Sequence, residues 1–212
     1  MRRSKTDGKL NPKVDLEAPK EDAVSGLRIK RLGMASLIAA DAALFLAVLI
    51  ACAWIRISNH NWPREFSQRL APAAVMTAIL FASSLTMTLA ARAARRNRRR
   101  PLLPWLLATL AGAIFFSLAE IHQWVALIRQ GLTLSHNPWG TPALGASFFA
   151  LTGLHLVHVA AGVLYLLVLV ASASRQRRTS EHVKICNLYW QYTCILWLFV
   201  LPFVYLPFSR TP

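Results

Sequence analysis

Five predominantly apolar stretches, at about 32–55, 70–91, 102–128, 142–172 and 185–208, alternate with short clusters of charge, proline and asparagine. A hydrocarbon core about 30 Å thick is crossed by about 20 apolar residues in a helix. Only a segment that satisfies its own backbone can cross, so each stretch predicts a helix rather than a strand. The pattern predicts an all-α integral membrane protein, a bundle of five transmembrane helices over 32–208. Residues 1–31 read differently. They carry nine Lys or Arg and five Asp or Glu, with Pro12 and Pro19, and predict a polar, flexible tail.

Charge adds the orientation. The chain has a formal net charge of +15, a value that suggests nucleic acid until the basic residues are placed. They lie between the spans, no polar segment is long enough to fold into a basic domain, and nucleic-acid binding is excluded as a function class. Nineteen of the 24 Lys and Arg fall in the tail, in 92–100 (with the run ARRNRRR at 94–100) and in 175–184. The other five are Arg56, Arg64, Arg69, Arg129 and Arg210. The positive-inside rule then places the N-terminus inside and the C-terminus outside. Trp54, Trp62, Trp124 and Trp139 fall near the expected outer boundary, where amphipathic rings prefer to sit. The tail is too long and too mixed for the leading part of a cleaved signal peptide, so the first span is expected to be retained. Cys52, Cys186 and Cys194 show no zinc-like spacing and read as small apolar packers.

Candidate chemistry is confined to a few residues. Of nine acidic residues only Asp41 and Glu120 fall inside spans. Asp41 lies about 14 Å in from the start of its span at 1.5 Å per residue, close to mid-membrane, and Glu120 lies near the far end of its own. An intramembrane carboxyl is costly unless protonated, paired or hydrated, so each is a functional hypothesis. The alternative for each is a hydrogen bond that ties two helices. In the fourth span Phe148, Thr152, His155, His158 and Gly162 recur at helical spacing and share one face. A lipid-facing stripe would be Leu, Val and Phe, so this face is expected to meet protein, with Gly162 allowing close helix approach. A haem or metal site would need further ligands at the same depth, and His122 lies toward the outer edge. Interhelical hydrogen bonding is the preferred reading of the two histidines, with ligation as the alternative.

The run FFALTGLHLVHVAAG (148–162) resembles the signature helix of the cytochrome c oxidase subunit III family, usually close to FFxxTGFHGxHVxxG. LYWQYTCILWLFVLPFVY (188–205) is similar to that family's last helix, typically WYWHFVDVVWLFLxxxxY. GMASLIAADAALF (33–45) resembles GMxxFIxSExxFF, with Asp41 at the position of the buried glutamate. FFSLAEIHQW (115–124) resembles a segment ending in a buried Glu-Tyr, with Glu120 as the acid. The likeness covers about 28–208 in order, and fits the five-span bacterial form. Departures occur at Gln191 for histidine, Cys194 for aspartate, Leu156 for glycine and Asp41 for glutamate. The first two imply weakened or replaced polar links in the last helix, Leu156 implies looser packing of the fourth, and Asp41 keeps the charge with a reach one methylene shorter.

The resemblance implies a non-catalytic subunit III of a haem–copper terminal oxidase in the bacterial inner membrane. It would sit beside subunit I, in a complex with subunit II, hold phospholipid and support proton uptake. By that likeness Asp41 serves proton uptake, and Glu120, Thr152, His155, His158, Gly162, Tyr189, Trp190 and Trp197 serve helix packing or subunit contact. No catalytic residue, metal or cofactor is expected in this chain; haem and copper belong to the partner subunits. Two alternatives stand beside this reading. One is the related small subunit of a nitric oxide reductase, the other a b-type cytochrome using His155 or His158. Nothing in this chain selects between cytochrome c and quinol as the electron donor.

Overall fold

The computed structural model describes residues 18–58, 70–138, 140–141, 143–175 and 180–205. They form five helices: α1 (Ala18–Ser58), α2 (Leu70–Arg95), α3 (Arg99–Arg129), α4 (Ala143–Ser174) and α5 (Ser180–Tyr205). Each contains a stretch long and apolar enough to cross a membrane, the first over Leu32–Ser58 and the fourth over Ala143–Ser174. At 32 residues α4 is about 48 Å long. That exceeds a bilayer core about 30 Å thick. α1 begins at Ala18, so helical backbone runs well into the segment expected to be a polar tail. Residues 1–17 and the tryptophans at 62 and 139 lie outside the described residues.

Two helix ends show how local sequence sets the bundle's short connections. In α2 the N–H of Arg98 reaches the carbonyl of Ala93 at 3.0 Å and that of Asn97 reaches Ala94 at 3.2 Å. Asn97 has φ 51°. This is a Schellman ending with asparagine in the left-handed position, and it turns the chain into α3 within three residues. α3 ends the same way. Gly131 has φ 91°, and the N–H groups of Leu132 and Gly131 reach Leu127 and Ile128 at 3.1 and 2.9 Å.

α2, α3, α4 and α5 form a ring in which each packs on its neighbours, and α1 lies outside it in the furrow between α4 and α5. The ring is filled by Trp197. Its indole meets Phe116 edge-on at 4.9 Å and His155 at 5.0 Å, and its Nε1 donates to Thr77 Oγ1 at 2.9 Å. One side chain of α5 therefore touches all three other ring helices. α1 buries little: Leu37, Leu44, Ile50 and Trp54 are exposed, as a lipid-facing side would be, while Phe45 and Cys52 point inward. At one end Arg56 donates to the Phe203 carbonyl, one of the acceptors that the last turn of α5 leaves unused. Trp124 departs from the expected boundary belt. It turns inward, with Nε1 donating to Thr152 Oγ1 at 3.1 Å.

Because lipid tails are as apolar as the helices, polar side chains and close packing hold such a bundle together. The α2–α5 seam shows both. Trp190 Nε1 donates to Ser83 Oγ at 3.2 Å, and Ser84 Oγ donates to Gln191 Oε1 at 2.6 Å. Gln191 Nε2 faces the Ser84 carbonyl and Thr88 Oγ1, each at 3.1 Å. The Cys194 thiol lies 3.8 Å from the Leu80 carbonyl. Gln191 and Cys194, where polar links are expected to be weakened or replaced, both face α2 in this ladder. On the opposite side of α5, a Cβ on Gly162 would come within 2.7 Å of the Trp190 ring. Only glycine lets that indole lie flat against α4.

Candidate functional site

The furrow between α1, α4 and α5 gathers the polar groups that the ring does not use. Asp41 projects from α1 toward His158 on α4 and Tyr192 on α5. Its Oδ2 lies 2.6 Å from His158 Nε2 and accepts from the Tyr192 hydroxyl at 2.7 Å. His158 Nδ1 lies 2.6 Å from the Leu154 carbonyl one turn back, and the Tyr189 hydroxyl donates to the His158 carbonyl at 3.0 Å. Phe45 closes the imidazole edge-on at 6.3 Å. The His158 side chain is 9% exposed and that of Asp41 26%. The pair is thus enclosed on the imidazole side and partly open at the carboxyl.

Hydrogen-bond chemistry constrains these contacts. A carbonyl only accepts, so His158 Nδ1 carries a hydrogen and donates to Leu154. Nε2 then faces Oδ2 in one of two ways. Either the imidazole holds a second proton opposite a carboxylate, or the carboxyl holds it and donates to a neutral imidazole. Both arrangements contain the same single proton between Oδ2 and Nε2. Without it, a carboxylate oxygen would face a nitrogen lone pair at 2.6 Å, a repulsive contact. A hydrogen therefore lies between Asp41 Oδ2 and His158 Nε2, and the Tyr192 hydroxyl donates to the same oxygen.

The other histidine is built into the ring. His155 is fully buried, its Nε2 donates to the Thr193 carbonyl at 3.2 Å, and Phe116 and Trp197 flank its ring. His158 has both nitrogens engaged and His155 is wedged between two aromatic rings, an arrangement unlike an axial haem ligand. Among the described residues no three His, Cys, Asp or Glu side chains converge as a metal site would require. Thr152 meets Trp124, and Gly162 meets Trp190 and Tyr189. Glu120 stands apart. It is 1% exposed, and neither carboxyl oxygen meets a hydrogen-bond partner among the described residues.

Tyr192 is the site residue that the sequence did not single out. It stands three residues after Tyr189, which puts both hydroxyls on one side of α5. A phenol hydroxyl inside a span needs a polar partner, and that need was the available signal. Tyr192 occupies a position where the resembling last-helix pattern has phenylalanine. It supplies a donor at the acid whose side chain is one methylene shorter.

Fold and site define a class: a multi-pass membrane protein whose helices are joined by side-chain hydrogen bonds around an intramembrane acid–imidazole pair. The chain belongs to the cytochrome c oxidase subunit III family, which it matches over residues 21–208. It is similar to the cytochrome bo(3) ubiquinol oxidase subunit 3 of Pseudomonas aeruginosa, 36% identical over 136 residues, covering 62% of this chain and 62% of that protein. It is similar to the quinol oxidase subunit 3 of Bacillus spizizenii, 30% identical over 62% of this chain and 64% of that one. A longer match joins it to the cytochrome c oxidase subunit 3 of Synechocystis sp., 31% identical over 84% of this chain and 76% of the relative. The match spans less than two thirds of the Pseudomonas and Bacillus relatives. With five spanning helices and bacterial relatives, this is a multi-pass protein of a bacterial membrane.

Proposed function

We propose that this chain is the non-catalytic third subunit of a haem–copper terminal oxidase, and that Asp41 with His158 forms a proton-exchanging unit that supports proton uptake by a partner subunit. The observation that carries the reading is the 2.6 Å contact between Asp41 Oδ2 and His158 Nε2, close to the middle of α1. The 26% exposure of the Asp41 side chain leaves the carboxyl open toward the outer side of the furrow. A neighbouring subunit or a bound phospholipid would reach it there. Subunit I, carrying haem and copper, is the direct partner in this reading, and subunit II completes the complex. Family membership and the oxidase subunits among the relatives support it.

Affinity purification of this chain in mild detergent tests the assignment. The complex that accompanies it is expected to show a Soret band and to contain copper, while the separated chain is expected to show neither. Haem retained in stoichiometric amount by the separated chain would contradict the reading. Iron in place of copper at the partner's binuclear centre would point instead to a nitric oxide reductase.

The basic asymmetry supports an N-terminus inside and a C-terminus outside. In this orientation the α2–α3 turn, with Arg95, Arg96, Arg98 and Arg100, faces the cytoplasm, where each cation near the surface attracts anionic lipid by about 1 kcal/mol. A cysteine placed as Asn97→Cys should resist a membrane-impermeant thiol reagent in intact cells and react once the cells are opened. Labelling in intact cells would reverse the orientation.

A further inference from the structure

Glu120 is the one intramembrane acid that the Asp41 site leaves unexplained. Its carboxyl is 1% exposed and neither oxygen meets a partner among the described residues. A buried polar group in that position is costly unless something small enough to enter the bundle satisfies it. Another polypeptide cannot reach a side chain so enclosed. Water can.

A groove runs along the adjoining face of α3; Glu120 lies behind its wall and does not itself line it. A cavity of about 320 Å³ opens between α2 and α3 at the end nearer the α3–α4 loop, walled by Pro72, Met76, Ala119, His122, Gln123 and Ala126. Glu120 sits on α3 between Ala119 and Gln123. The Gln123 side chain is 7% exposed yet lines the cavity, so it borders both the groove and the interior. His122 is exposed beside it. A water molecule needs about 10–15 Å³ and two or more polar partners. The groove exceeds the first requirement; the exposed His122 imidazole and the Gln123 amide are the polar groups at its wall, and the more buried Glu120 carboxyl lies behind them. A lipid chain could cover the apolar walls but would leave the carboxyl without a partner.

We propose that the groove between α2 and α3 carries water past Gln123 to Glu120, making this carboxyl a second hydrated acid of the membrane domain, distinct from the Asp41–His158 pair. The test uses the assembled complex and a small cationic methanethiosulfonate, which reacts with thiolate and therefore reports water at the thiol. Wild-type complex, whose Cys52, Cys186 and Cys194 are all buried, sets the background. Glu120→Cys is expected to react at least about tenfold faster than Leu118→Cys, because a lipid-facing thiol rarely ionises. Leu118 is 61% exposed and serves as that lipid-facing control. Adding Ala126→Trp, which fills the groove, is expected to return the rate to that of the control. A Glu120→Cys rate no higher than that of Leu118→Cys, or one that the added tryptophan leaves unchanged, overturns the proposal; a lipid-filled groove gives the first of these. Where Glu120→Cys does not assemble, Gln123→Cys is judged by the same two comparisons.

Discussion

Trp197→Ala is expected to cost this protein about 3–5 kcal/mol, the range for emptying a buried tryptophan site, and to leave little assembled complex. The indole is fully buried, meets Phe116 and His155, and bonds Thr77 across the ring. Removing it opens a void where four helices converge. The void cannot close without moving α3 toward α5, because those two helices approach each other through side chains alone. Dispersion contacts drive helix association in lipid, so their loss at the centre is felt in full. Trp197→Phe separates packing from hydrogen bonding. It keeps an aromatic ring between Phe116 and His155 and gives up only the N–H, while the Thr77 hydroxyl still donates to the Ala73 carbonyl at 2.7 Å. A single hydrogen bond between membrane helices averages about 0.6 kcal/mol, so the Phe variant should assemble nearly as well as wild type. Complex recovery and thermal midpoint in detergent are the measurements. Equal recovery of the Ala and Phe variants would show that the centre of the ring lies elsewhere.

Five helices were legible in the sequence because the bilayer imposes a length and an apolar composition that few other environments require. Helix ends were less legible. α1 continues down to Ala18 through residues whose charge hides a helical pattern from any reading based on apolarity. The face bearing His155 and His158 was legible as a protein-facing stripe, but its two histidines do different things, and periodicity gives them one role. His155 lies toward the ring, against Trp197 and Phe116, whereas His158 is one turn on and turned toward α1. That difference of roughly 60° around α4 sends one imidazole into the core and the other to Asp41. A single sequence does not reveal which neighbouring helix lies on each side. The same limit concealed Tyr192, whose role depends on α1 lying in the furrow, and Trp124, whose position at a span end suggested the boundary while its indole turns inward. The departures at Gln191 and Cys194 were visible as changes of chemistry. Their effect was not, because the compensating partners, Ser84, Thr88 and Leu80, belong to α2 and are more than a hundred residues away in the chain.

Asp41→Asn should preserve assembly and slow turnover, most visibly at alkaline pH. The amide occupies the volume of the acid. One of its N–H groups can donate to the lone pair of His158 Nε2 and the other to the Tyr192 oxygen, so the pair at 2.6 Å and the contact at 2.7 Å both retain a hydrogen. Only the Tyr192 hydroxyl hydrogen loses its acceptor, at a partly exposed position, and the complex should be recovered with its normal haem content. What disappears is the proton shared between Oδ2 and Nε2, because an amide does not release one in this pH range. While protons are plentiful the partner subunit takes them directly from water and the loss is small. As pH rises and free protons become scarce, a group that holds one ready contributes more to the supply. Turnover of the variant should then fall by about tenfold relative to wild type, equivalent to about 1.4 kcal/mol on the limiting step. Tyr192→Phe is the matching control. It removes a donor to Oδ2 but leaves the shared proton in place, so it should reduce turnover far less across the same range. An Asp41→Asn complex that turns over like wild type from neutral to alkaline pH would make this carboxyl a helix fastener and nothing more. An Asp41→Asn complex impaired equally at every pH would place its effect in the geometry of the furrow rather than in proton supply.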